Sequence, residues 1–290
     1  MKKRRSFLPR AMTGPAACRG EIFDGCFQYF FGGIILAVLV YFVLGYAVDF
    51  VVPRVPVSVE RKVFSTLGLE NKMSGGQANT SDPRLKQLQP MLTQLSAQPE
   101  VPKLNYRLFL MDKSDPNAFA VPGGSIGVTS GLLDTLGKQD IAVAFVIGHE
   151  LGHFKNRDHL RGLGRGLALQ LAFSMFLGDS DLVNWLGGRA LVLMHRKYDR
   201  KQEEAADRFG LFLVYNTYGT TKGTTKLFEV LQKSDDRPGW AYMFSTHPAA
   251  RARIEKMKEY MKELENSGPP RNIQKLPAAG GTSAPAGDNW

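Results

Sequence analysis

The stretch His149-Glu150-Leu151-Gly152-His153 decides the reading of this chain. On a helix, positions i and i+4 share a face, so the two imidazoles can converge on one metal ion. Glu150 follows about 100° around the same helix, within reach of a water held by that ion without ligating it. The pattern has this meaning only on a helix, and Lys138 to Arg157 supply one. Ile141, Ala142, Val143, Ala144, Phe145, Val146 and Ile147 are apolar around the whole circumference, as in a helix buried on all sides. The motif therefore ends a core helix. The bland alternative, two histidines and a glutamate on the polar end of an ordinary helix, has to be weighed against what lies downstream.

Two imidazoles make an incomplete site, because catalytic zinc takes three protein ligands and keeps a fourth position for water. Arg200-Lys201-Gln202-Glu203-Glu204-Ala205-Ala206-Asp207 offers the missing donor. Glu203 and Asp207 are four apart in a segment with helical periodicity, with Ala206, Phe209, Leu211, Phe212 and Leu213 on its apolar side. Both carboxylates then point toward one site. Glu203 is assigned to the metal, and Asp207 to accepting the N–H of one ligating imidazole, which fixes the tautomer and makes the ligand more basic. An isolated Glu203-Glu204 pair would read as a solvated charged face, but the histidine motif ahead of it reverses that preference.

Glu203-x-x-Ala206-Asp207 behind the histidine motif resembles the M48 family of zinc peptidases. Further pieces match in order. Asn117-Ala118-Phe119-Ala120-Val121-Pro122-Gly123-Gly124, then Ser125-Ile126-Gly127-Val128 and Gly131-Leu132-Leu133, look like the family's strand pair ahead of the active-site helix. Thr246-His247-Pro248 with Arg253-Ile254 looks like its C-terminal signature. One position departs: Asp199 stands where the family usually has serine. The resemblance covers residues 100 to 265 and implies an α+β fold, a mainly helical, gluzincin-like zincin domain with a small β-sheet. It implies one Zn2+ per chain held by His149, His153 and Glu203, with Glu150 as catalytic base. It also implies that His247 and Arg253 line the site near the transition-state oxyanion. The edge strand at Asn117, Ala118, Phe119 and Ala120 is where an extended polypeptide substrate would add through backbone hydrogen bonds. Such contacts read little sequence, so the expected activity is endopeptidase cleavage of unfolded or misfolded proteins. The alternative is a membrane-anchored, chaperone-like or binding protein with an occluded zinc site.

The chain has 290 residues, is 43% hydrophobic and carries a formal charge of +10, enough for one sizeable core. A basic balance of this size raises nucleic acid or an anionic membrane as a partner. Much of it has a simpler source. Lys2, Lys3, Arg4, Arg5, Arg10 and Arg19 face only Glu21 and Asp24 in residues 1–28, directly before an apolar run, and no nucleic-acid partner is expected. From Tyr29 to Val48 no residue is charged, and as a helix this run is about 30 Å long, the thickness of a bilayer core. Tyr29, Phe30, Phe31, Tyr46 and Phe50 fit interfacial positions, and the basic flank favours a cytoplasmic N-terminus. The expected topology is single-pass, with the catalytic domain extracytoplasmic, periplasmic in a Gram-negative bacterium. A cleaved signal peptide is the competing reading, on Gly45-Tyr46-Ala47, although the run is long for a signal. Cys18 and Cys26 both precede the span, so the exported domain would need no disulfide.

The expected organisation is a basic tail at 1–28, a membrane anchor at 29–48, a juxtamembrane segment and linker at 49–82, a peptidase domain at 83–266 and a disordered tail at 267–290. Within it, residues 72–82 read as a loop and Pro83 opens an amphipathic helix reaching residue 97. Leu104 to Met111 alternate as a strand. Leu163 to Leu177 and Leu182 to Met194 are apolar but too short to span. They predict a helical hairpin packed in the domain or lying at the membrane surface. His159 and His195 are left without a role.

Overall fold

The computed structural model of the chain describes residues 17–64, 69–74, 76, 78–177, 199–232, 247 and 251–268. A long helix α1 (Ala17–Val51) leads into two short ones, α2 (Val57–Phe64) and α3 (Leu69–Met73). Helix α4 (Pro83–Ser96) follows, then a three-stranded sheet of β1 (Arg107–Met111), β2 (Ala118–Val121) and β3 (Ser125–Thr129). Beyond the sheet come α5 (Ser130–Leu136), α6 (Asp140–Asn156), α7 (Asp158–Leu177), α8 (Arg200–Tyr218), α9 (Lys226–Gln232) and α10 (Arg251–Ser267). The architecture is the expected α+β one, mainly helical with a small open sheet.

Local chemistry explains most of the boundaries. Asp82 caps α4 by accepting from Arg84 N at 2.9 Å, and Pro83 occupies the first turn, where no N–H is needed. The strand predicted from Leu104 starts only at Arg107, because Leu104 N turns back to Pro102 O at 2.9 Å. In the sheet the order is β1-β3-β2, with β1 parallel and β2 antiparallel to β3, pairing Leu108 with Ile126 and Phe119 with Gly127. Gly124 makes the β2–β3 turn at φ 103°, where a Cβ would also meet Asn105 O at 3.0 Å. Strand β2 is an edge of the sheet and packs on α6.

Helix α6 is buried from Ala142 to Phe154, as its unbroken apolar circumference requires. Phe145, Ile147, Leu151 and Phe154 meet Phe209 and Leu211 of α8 and Leu92 and Leu95 of α4 in one core, each nearly solvent-free. Burial of such side chains contributes about 1.5–3 kcal/mol apiece. Helices α6 and α8 pack closely, and small residues allow it. A Cβ on Gly152 would stand 2.8 Å from Ala206 Cα, and one on Gly210 would stand 2.9 Å from His149 N.

The segment from Phe31 to Arg54 is the one described helix long and apolar enough to cross a membrane, and Ile35, Leu39, Phe42, Val43 and Tyr46 are exposed along it. It contains most of the uncharged run read from sequence. The predicted arm Leu163 to Leu177 belongs to a longer helix, α7, which starts at Asp158 because nothing between the two positions breaks a helix. Helix α7 packs on α1: Gly164 leaves room for Val48, and Arg165 Nη2 reaches both oxygens of Asp49 at 2.9 and 3.0 Å. Leu182 to Met194, His195, Thr246, Pro248 and residues 1–16 and 269–290 lie outside the described residues.

Candidate metal centre and active site

His149 and His153, one turn apart on α6, bring their Nε2 atoms to 3.1 Å. Glu203 enters from α8, with Oε2 3.6 Å from His149 Nε2 and Oε1 3.5 Å from His153 Nε2. His247, just before α10, sets Nδ1 2.9 Å from Glu203 Oε1 and 3.3 Å from His149 Nε2. Donor atoms of these four buried residues all lie within 4.8 Å of one another. Ligands on a tetrahedral ion with bonds of about 2.1 Å stand roughly 3.4 Å apart, so the spacing fits zinc.

The hydrogen bonds behind the rings make the same point chemically. His149 Nδ1 meets Asp207 Oδ1 at 2.9 Å, and His153 Nδ1 meets Asp158 Oδ2 at 2.9 Å. A carboxylate only accepts, so both Nδ1 atoms carry a hydrogen and both Nε2 atoms present lone pairs to each other and to Glu203. A cation resolves that arrangement. Without one, a proton does: burial opposes charge on His153, but Asp158 and Glu203 outweigh it and raise its pKa to about 10. At His149 burial wins over Asp207 and Glu203, and the pKa is lowered.

Arg253 of α10 binds Asp207 through Nε and Nη2, the latter at 2.7 Å from Oδ1, and pairs with Glu203 through Nη1. Burial would raise the Glu203 carboxyl, but His247, Arg253 and His153 hold it well below the usual range; Arg253 and His149 do the same for Asp207 against its burial. The guanidinium thus works through the two carboxylates of α8. Glu150 is 1% exposed, its Oε1 lies 3.7 Å from His247 Nε2, and its Oε2 has no hydrogen-bond partner among the described residues. A buried oxygen of this kind calls for a partner, and it stands beside the donor cluster.

The structure therefore gathers His149, Glu150, His153, Glu203, Asp207, His247 and Arg253 into one cluster. Ala118, Phe119 and Ala120 lie on the edge strand against α6, with Asn117 directly before it, and all four are buried. Asn117 N donates to Thr129 Oγ1 at 2.8 Å, which fixes the start of that strand. Sequence reasoning missed Asp158 and its support from Gln202 Nε2 at 2.8 Å. The need of the His153 ring for a second-nitrogen partner signals that such a residue exists but not which one supplies it. His159, left unassigned, is buried against Glu60 at 2.7 Å.

Residues 83–261 match the profile of peptidase family M48. The chain belongs to peptidase family M48. The matched region holds all four clustered donors and Glu150, and an M48 chain with this cluster is a metalloendopeptidase. Among curated relatives it is 28% identical over 187 residues to a protease HtpX homolog of Salinibacter ruber, covering 53% of this chain and 67% of that one. It is 33% identical over 153 residues to the mitochondrial metalloendopeptidase OMA1 of Arabidopsis thaliana, covering 52% of this chain and 30% of the relative. With the metalloprotease YcaL of Escherichia coli it shares 28% over 213 residues, 69% and 79% of the two chains.

Proposed function

We propose that this M48 chain is a zinc-dependent endopeptidase that cleaves unfolded or misfolded polypeptides at a membrane. The observation that supports it most is the four-donor cluster with Glu150 beside it, its Oε2 without a hydrogen-bond partner among the described residues. His149, His153 and Glu203 would hold the ion, with Asp158 and Asp207 fixing the two rings. Bound zinc supplies Lewis acidity, acidifying water and polarising the scissile carbonyl. Glu150 takes the proton from the attacking water and passes it to the leaving amine. His247 lies near the oxygen that gains charge and helps to stabilise it, and Arg253 adds positive charge behind Glu203. The substrate adds to β2 at Asn117 to Ala120 in extended form, held by its backbone. The buried side chains of β2 leave little to read sequence. Helix α1 anchors the chain with residues 29–48 in the bilayer, the N-terminus cytoplasmic and the catalytic domain outside.

A second reading has an observation of its own. With His247 Nδ1 3.3 Å from His149 Nε2, His247 could serve as a fourth protein donor in place of a water, as an occluded, binding or chaperone-like protein would require. One experiment separates the two: the full chain in detergent is assayed on casein with metal analysis, beside Glu150→Gln and His247→Ala. Zinc-dependent cleavage, lowered about 10²-fold or more in Glu150→Gln with zinc retained, supports the peptidase. Cleavage by Glu150→Gln at the wild-type rate overturns the mechanism. Zinc bound without cleavage, with activity appearing in His247→Ala, supports occlusion.

A further inference from the structure

The M48 match begins at Pro83, yet one residue well before it is built into the interior. Glu60 of α2 is 2% exposed. Its Oε1 accepts from His159 Nε2 at 2.7 Å and from Gly123 N at 3.3 Å, and its Oε2 faces Arg157 Nη1 at 3.4 Å. A carboxylate is kept out of water only where donors replace its hydration. These donors come from two places, the β2–β3 turn and the α6–α7 junction.

The junction is where the metal centre is braced. Arg157 caps α6 in a left-handed conformation at φ 58°, which a residue with a side chain holds only when its surroundings enforce it. Asp158, next in the chain, holds His153 Nδ1. His159 turns Nδ1 toward His153 O at 3.3 Å while its Nε2 faces Glu60. Glu60 therefore grips the residues on both sides of Asp158 and, through His159, the backbone of a ligand. Burial pushes the Glu60 carboxyl up, but His159, the Gly123 amide and Arg157 outweigh it, so it stays ionised as the grip requires.

We propose that Glu60 is a positioning residue for the metal centre: from the membrane-proximal helix α2 it locks the α6–α7 junction, and with it the Asp158–His153 pair, in the geometry that binds the ion. The proposal rests on the reading of His153 as a ligand. A carboxylate that served stability alone would, when removed, lower the melting temperature like any core defect and leave the metal affinity of the folded protein unchanged.

Zinc affinity is therefore measured by chelator competition on the full chain in detergent micelles, with thermal midpoints in parallel, for wild type, Glu60→Gln and Glu60→Ala. Leu69→Ala is the control, since Leu69 is buried against Phe109 and Phe119, in a separate cluster from the junction. Glu60→Ala is expected to weaken zinc about 10-fold or more, and Glu60→Gln, which keeps one acceptor oxygen, by less. The visible spectrum of bound Co2+ is expected to change in both Glu60 variants and to stay as in wild type for Leu69→Ala. Folded Glu60 variants that bind zinc within about twofold of wild type overturn the proposal. So does an equal loss of affinity in Leu69→Ala at a matched drop in midpoint. If Glu60→Ala does not fold, the near-isosteric Glu60→Gln decides by the same criteria. Wild-type protein that takes up no zinc overturns the metal reading itself, a separate result from equal binding by all variants.

Discussion

Asp207 and Asp158 each take the Nδ1 hydrogen of one ring at 2.9 Å and so choose which nitrogen faces the ion. Replacing either by alanine frees its ring to turn and to change tautomer, and zinc affinity is expected to fall about 10 to 100-fold in chelator competition. Unchanged affinity in Asp158→Ala would remove it from the site. The proton on metal-free His153 sets the pH dependence. With its pKa at about 10, zinc displaces one proton at any lower pH, so affinity rises about tenfold per unit between roughly pH 6 and 9. A flat profile would mean that the ring is neutral before the metal arrives. The same shift acts oppositely on the metal-free fold. That contribution is complete below the ordinary imidazole value of 6.5 and is lost as pH rises through about 10, so metal-free protein weakens in alkali where zinc binding strengthens. Asp207 was legible from the sequence because it lies four residues from Glu203 on one helix face. Asp158 was not, because it reaches back across a helix end through a left-handed residue, where no period applies.

The pairing of α6 with α8 carries the site at the level of elements, since one supplies both imidazoles and the other both carboxylates. Gly152 carries no reading of its own in the sequence motif. Its real constraint is the 2.8 Å from a would-be Cβ to Ala206 Cα, which is backbone and cannot swing away. Gly152→Ala is expected to push the helices apart, destabilise by about 1–3 kcal/mol in chemical denaturation, and weaken zinc by drawing Glu203 back. Wild-type stability and affinity in that variant would show that the contact has slack. The helices themselves were legible, because α6 is apolar on every face and α4 has its cap and proline in sequence. Close approach was not, since a glycine's sequence neighbours do not say which backbone it will face.

Across the whole molecule, the apolar run before residue 51 was legible from the absence of charge, whereas the burial of Glu60 was not, because its partner His159 lies 99 positions away. The proposed topology predicts that in sealed inverted vesicles, with the cytoplasmic face outward, residues 52–290 resist protease added outside and are digested once the vesicles are opened. Digestion before opening would place the domain on the other face. The contact of α1 with α7 has its own outcome. Asp49 is held by Arg165, and Gly164 lies on Val48, so the domain does not trail on a tether but is bolted to the helix that proposes to cross the bilayer. From Gly164 back to Asp158 is about 9 Å of helix, and Asp158 touches His153. With the anchor inserted, the centre becomes a ruler. On the proposed topology and activity, chains would be cut at a set height above the lipid, and an extended segment of only a few residues, at about 3.3 Å each, would bridge the gap from a membrane-bound substrate.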